Sequence, residues 1–120
     1  MEKRAHKNLD VWKRSIELAK LIYRITSQFP SSEQFGLVSQ MRRATVSVPT
    51  NLAEGAARSG KNEFLQFISI AQGSLSELDT QVELATELGF LDQKSYDDIQ
   101  SELSVISKQL YGLARKLRVK

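Results

Sequence analysis

From Phe64 to Leu117 the apolar residues recur at alternating steps of four and three. Phe64, Ile68, Ala71, Leu75, Leu78, Val82 and Ala85 form one series, and Ile99, Leu103, Ile106, Leu110, Leu113 and Leu117 a second. This spacing puts each series on one stripe of an α-helix and on neither face of a strand. The same steps run through Val38, Met41, Thr45, Val48 and Leu52, and no segment alternates with period two. The chain is therefore expected to be all-α.

The helix boundaries follow from capping and breaking residues. Asn8 or Asp10 is a candidate cap for a first helix reaching about Gln28, where Pro30 ends it. Ser31 or Ser32 offers the next cap, for a second helix reaching about Ser59 with Gly60 as its terminator. A third helix is predicted from near Asn62 to Gly89, and a fourth from Asp92, its cap, into the basic tail. At 120 residues the chain has the length of one domain with one core. Short connections between long helices make neighbours antiparallel, so the expected architecture is an up-down-up-down four-helix bundle in a single domain, residues 1–120.

The run "RRATVSVPTNLAEGAARSG" holds two helix breakers, yet the apolar register passes through Pro49 without slipping. One kinked helix is expected in place of two short ones. Proline in a helix interior costs about 3 kcal/mol and glycine about 1 kcal/mol relative to alanine, so packing must offset both Pro49 and Gly55. In an antiparallel pair turning at residue 60, Ser47 lies at the height of Gly73, Ala44 of Ser76 and Arg43 of Glu77. Small residues there let the backbones approach, and the hydroxyl of Ser47 or Ser74 is a candidate partner for the Thr45 carbonyl that Pro49 frees. Arg43 and Glu77 either pair across the helices or point to solvent, and Glu54 with Arg58 has the spacing of a surface ion pair.

Apolar residues also fall outside the main stripes: Trp12, Ile16, Ala19 and Tyr23 on one line of the first helix beside Leu18, Ile22 and Ile25 on another, and Leu65, Phe67, Ile70 and Leu84 on the third. They make either a wide core-facing arc or a second buried surface, a subunit interface.

Two blocks, "QMRRATVSVPTNLAEG" and "IAQGSLSELDTQVELA", together with "LDVWKRSIELAKLIYRITSQFP", resemble the four-helix-bundle proteins encoded in intervening sequences of bacterial 23S ribosomal RNA. The resemblance covers residues 9 to 91 and extends along the fourth helix. It implies a ring-like homopentamer, and kinship with accessory proteins of diversity-generating retroelements, which work beside a reverse transcriptase and an RNA template. On that reading Pro49 bends the second helix so that it serves both the bundle and a neighbouring subunit, with Asn51 or Glu54 supplying polar contacts.

Charge is segregated along the chain. Residues 1–61 carry a net +6, residues 62–102 a net −8 and residues 103–120 a net +5. In an up-down bundle one end gathers Lys3, Arg4, Lys7, Lys13, Arg14, Arg58, Lys61, Arg115, Lys116, Arg118 and Lys120, and the other Glu33, Glu83, Glu87, Asp92, Asp97 and Asp98. Cations at the ends of the second and fourth helices complement their dipoles, but the cluster from Lys3 to Arg14 sits at a helix N-terminus, where positive charge is disfavoured. It is either a solvated basic tail or part of a surface for a phosphate backbone, of RNA or DNA, read without base specificity. Trp12, Tyr23, Phe64 and Phe67 stand at core spacing and are expected to pack.

Catalysis has little to draw on. The one histidine, His6, lies near the terminus, and there is no Glu-x-x-His pair, glycine-rich phosphate loop or serine elbow. Asp79 with Glu83, and Glu83 with Glu87, have the spacing to hold a cation, against the simpler account of a solvated acidic face. With no cysteine, thiolate metal sites and disulfides are excluded. No cofactor or metal is expected. No apolar run approaches the roughly 18 residues of a membrane span, and the charged start is unlike a secretory signal, so a soluble cytoplasmic protein is expected. The sequence thus leads to a non-enzymatic, oligomeric nucleic-acid-binding protein, or alternatively to an oligomeric scaffold that docks a protein such as an RNA-processing enzyme or reverse transcriptase.

Overall fold

The computed structural model describes residues 5–119. Four helices make up the fold: α1 Asp10–Thr26, α2 Leu37–Ala56, α3 Lys61–Glu87 and α4 Gln93–Arg118, with 3-10 turns at Ala5–Asn8 and Ser31–Glu33. No strand occurs among the described residues. Each helix packs closely on its two neighbours, α1 on α2, α2 on α3, α3 on α4 and α4 back on α1, and the α2–α3 seam is the closest of the four.

Cross-helix contacts give the sense of each helix. Ser47 meets Ser74 while Gly55, further along α2, faces Phe64 and Phe67, earlier in α3. Glu83 meets Tyr96 while Asp79 meets Gln100. Arg14 meets Glu102, and the C-terminal half of α1 lies beside the start of α4. Adjacent helices therefore run antiparallel in a body of 46 × 28 × 20 Å.

The predicted stripes form the core. Val38, Met41, Thr45, Val48 and Leu52 are all buried, as are Ile68, Ala71, Leu75, Leu78, Val82 and Ala85 on α3 and Ile99, Leu103, Ile106 and Leu110 on α4. Leu113 and Leu117 reach only the edge, and Ala114 takes the buried position near the end of α4. On α1 the core line is Val11, Leu18 and Ile22; Trp12, Ile16 and Ala19 are half-buried and Tyr23 is exposed, so the line from Trp12 to Tyr23 reaches only the edge of the core, where Trp12 packs. Each fully buried large aliphatic side chain contributes about 1.5–3 kcal/mol.

α2 is one helix through Pro49, and Gly55 has a steric reason. A Cβ at position 55 would lie 2.8 Å from Phe67 Cβ and 2.9 Å from Phe64 Cδ1. Gly55 is the notch into which α3 presses. Gly73, expected to permit that approach, is exposed, with nothing within 4 Å of where its Cβ would be. The close approach lies nearer the α2–α3 turn, where two phenylalanines need room.

Three boundary expectations change. Leu9, not Asn8 or Asp10, precedes α1 as its N-cap with no side-chain bond; burial of Leu9 against the core sets the start, leaving Asn8 in the preceding turn and Asp10 inside the helix. Neither Ser31 nor Ser32 caps α2, which begins only at Leu37 because Gly36 leaves helical geometry (ψ −109°). The Glu33 carboxylate reaches forward to accept from the Leu37 N–H at 3.3 Å. Gly60 does not terminate α2, which stops at Ala56; at φ −109° it precedes α3 as the N-cap residue. Gly89 is the one left-handed glycine, φ 83°, and closes α3 with Phe90 N–H to Ala85 O and Gly89 N–H to Thr86 O, the paired bonds of a Schellman motif. Asp92 caps α4 as expected, accepting from the Ser95 N–H at 2.8 Å.

Candidate nucleic-acid interface

The antiparallel order brings three basic segments to one pole: the start of α1, the α2–α3 turn and the end of α4. The 3-10 turn Ala5–Asn8 packs on α2, which holds the chain before α1 against that pole. Lys7, Lys13, Arg115, Lys116 and Arg118 are exposed there. Lys61 is exposed at the start of α3. Lys3, Arg4 and Lys120 lie outside the described residues.

Two predicted cations have partners within the subunit. Arg14 makes a bidentate pair with Glu102 of α4, Nε–Oε1 3.0 Å and Nη2–Oε2 3.2 Å. The hydrogen bond and charge of Glu102 push the Arg14 pKa above its ordinary value. Arg58 pairs with Glu54 at 3.1 Å and its guanidinium lies 5.1 Å from the Phe67 ring centre. These exposed pairs contribute little to stability, but they divert both guanidinium groups from a ligand.

Aromatic groups at this pole are largely covered. His6 meets Trp12 edge-on at 5.1 Å, Arg58 overlies Phe67, and Phe64 presses on Gly55. Tyr111 is the exception. It is 63% exposed on α4, with Lys108 a turn before it and Arg115 a turn after. Neither Tyr111 nor Lys108 belongs to an apolar stripe; a ring standing between cations at helical spacing was the available signal.

At the opposite pole the acids serve the helices. Asp92 caps α4, and the Ser95 backbone N–H lowers its pKa. Asp98 pairs with Lys94 at 3.0 Å, raising the lysine pKa, and Asp97 accepts from Gln93. The proposed cation-binding pairs on α3 are partly engaged: Asp79 accepts from Gln100 at 2.8 Å and Glu83 from the Tyr96 hydroxyl, whose pKa this bond raises. No group of three or more metal-ligating side chains occurs among the described residues.

The residues around the helix breakers form a polar connection. Asn51 Nδ2 donates to Ser47 O at 2.8 Å and to Ser47 Oγ at 2.9 Å. Ser47 Oγ lies 2.7 Å from Ser74 Oγ, and Ser74 Oγ lies 3.2 Å from Ile70 O. The Ser74 proton goes to the carbonyl, so Ser47 donates to Ser74 and accepts from Asn51. The hydroxyls thus join α2 to α3 and are not shown bonded to the Thr45 carbonyl. Thr45 Oγ1 is itself buried without a partner. Arg43 and Glu77 are exposed and form no ion pair among the described residues. Pro49 is buried, and Glu54 is turned to Arg58.

Two of the grooves along the bundle differ sharply in lining. One, about 790 Å³ between α1 and α4, interleaves Lys13, Arg14 and Arg24 with Asp10, Glu17, Asp98 and Glu102 and so presents no single sign of charge. The other, about 630 Å³ along α2, is lined by Tyr23, Phe35, Val38, Arg43 and Val46. Phe35 is 96% exposed. Arg42 closes its edge, lying over Tyr23 at 4.5 Å and donating to Tyr23 O and Thr26 Oγ1.

Four antiparallel helices around one apolar core, with cations drawn to one pole, define an all-α bundle protein. The chain belongs to the 23S rRNA-intervening sequence protein family, whose pattern matches residues 7–112. Its fold is similar to a crystal structure of a protein of unknown function from the S23 ribosomal protein family of Bacteroides thetaiotaomicron VPI-5482. The TM-score is 0.78 at 21% identity, over 87% of this chain and 97% of that one. No curated protein matches the chain. Among the described residues no helix is long and apolar enough to cross a membrane.

Proposed function

We propose that this protein is a non-enzymatic, cytoplasmic nucleic-acid-binding protein that holds the RNA or DNA backbone at the basic pole of the bundle. The observation that carries the reading is the exposure of Lys7, Lys13, Arg115, Lys116 and Arg118 at one end, on two segments far apart in the chain. Positive charge in that density attracts polyanions and releases their counterions on binding. Homopentameric assembly, with α2 bent at Pro49 toward a neighbouring subunit, would repeat the pole around a ring. Apolar side chains outside the core support assembly: Ile70 is 46% exposed and Leu84 50%.

Fluorescence anisotropy with labelled RNA and DNA at low salt tests the reading. The chain binds both, affinity falls linearly with salt on logarithmic axes, and joint replacement of Lys7, Arg115 and Lys116 by Gln abolishes retention without changing the mass in light scattering. Arg14 is left out because its loss would orphan Glu102. Absence of affinity at low salt refutes the proposal. The α2 groove with Phe35 favours a second reading, a scaffold that docks a protein such as a reverse transcriptase. That reading requires a protein that co-purifies after nuclease treatment and is lost on Phe35→Ser.

A further inference from the structure

At about 100° per residue, Ser104, Lys108, Tyr111, Arg115 and Arg118 fall within about 80° of one another on the surface of α4. All five are exposed. Lys108 and Arg115, about 10 Å apart along the axis, bracket the Tyr111 ring, and neither makes an ion pair among the described residues. On the α3 side the ring borders a groove of about 290 Å³ lined by Gln72, Ser76, Ser104 and Ser107. Asp79 also lines it, with its carboxylate accepting from Gln100. The strip therefore combines an open π-face, a cation on either side of it, and a neighbouring slot of hydrogen-bonding groups whose one anion, Asp79, is held by Gln100.

We propose that this face of α4 binds single-stranded nucleic acid, with an unpaired base stacked on the Tyr111 ring and the flanking phosphates held by Lys108 and Arg115. The inference rests on the nucleic-acid reading above and narrows it to one ligand class. A base in a duplex has both faces occupied by its neighbours, so only an unpaired base has a face for Tyr111. The amide and hydroxyls of Gln72, Ser104 and Ser107 can donate to acceptors of a base edge or accept from its donors, which gives tolerance of sequence. The two cations supply the charge complementarity. The other rings of the same pole are covered by His6, by Arg58 or by packing on Gly55, which leaves Tyr111 as the platform.

The test is anisotropy at one low salt concentration with a short fluorescein-labelled oligouridylate, alone and annealed to oligoadenylate. Tyr111→Ala weakens single-strand binding about 5- to 150-fold, the effect of removing one base–aromatic stack, and leaves duplex binding within about twofold. Tyr111→Phe keeps the ring and binds both probes within about twofold of the unaltered chain. Circular dichroism melts of both variants exclude unfolding as the cause. Unchanged single-strand affinity in Tyr111→Ala overturns the inference while leaving the broader reading standing. Equal losses in Tyr111→Phe and Tyr111→Ala overturn it too, since the hydroxyl and not the ring would then be the contact. If the unaltered chain binds neither probe, both readings fail together.

Discussion

Replacing Gly55 with alanine sets two terms of opposite sign against each other. In a helix interior the substitution gains about 1 kcal/mol of intrinsic propensity. Here the new methyl would stand 2.8 Å from Phe67 Cβ and 2.9 Å from Phe64 Cδ1, whereas carbon atoms rest at about 3.5–4.0 Å. The Phe64 ring can swing aside. Phe67 Cβ cannot, because it is bonded directly to the α3 backbone, so the helices must separate by about 0.7–1.2 Å at this turn. Overpacking of this kind costs about 1–3 kcal/mol. The net change therefore lies between about zero and 2 kcal/mol of destabilisation once the propensity gain is subtracted. Gly112→Ala in α4 is the control, because nothing lies within 4 Å of its Cβ position and only the gain of about 1 kcal/mol applies. Urea unfolding followed by circular dichroism, at one protein concentration, should place Gly55→Ala about 1–3 kcal/mol below Gly112→Ala. Equal stabilisation of the two variants would refute the notch.

Two further outcomes follow from individual groups. Thr45→Val removes a buried hydroxyl without a partner while keeping the side-chain shape, and should stabilise the protein by about 1 kcal/mol in the same unfolding assay; a loss of stability would mean that the hydroxyl has a partner. The Asp92 carboxyl is held below the ordinary aspartate range by the Ser95 N–H. Its stabilising effect is therefore complete above the unfolded-state pKa and disappears as pH falls through the lower folded-state pKa. An NMR titration of the Asp92 carboxyl should give a midpoint below the ordinary aspartate value, and Asp92→Ala should remove that pH dependence from the first turn of α4.

The apolar stripes were legible because each obeys helical spacing without tertiary help, and the register through Pro49 placed α2 correctly as one helix. Asp92 was legible as a cap because its side chain acts three residues away. Contacts that depend on distant segments were not. Glu102, 88 residues from Arg14, claims a guanidinium that looked available to a ligand. The height match of Ser47 with Gly73 was right within one residue, since Ser47 meets Ser74, yet the close approach falls at Gly55 and not at Gly73 because residue heights do not say which side chains project between the helices. The start of α1 was misplaced because Leu9 is fixed by burial and not by a polar cap. In the candidate interface the clustering of cations was legible from topology. The open ring of Tyr111 was not legible, because it stands outside the apolar stripes and its exposure depends on how α3 packs beside α4.

The Asn51–Ser47–Ser74–Ile70 connection has a consequence for how the closest seam is set. Greasy surfaces that interlock every three or four residues permit sliding by a whole turn with modest loss. A hydroxyl pair does not, because moving α3 by one turn would set Ile70 or Leu78 opposite Ser47 and remove its acceptor. These few polar atoms choose one alignment among several oily ones, and that choice seats the two phenylalanines opposite the only residue in α2 without a side chain.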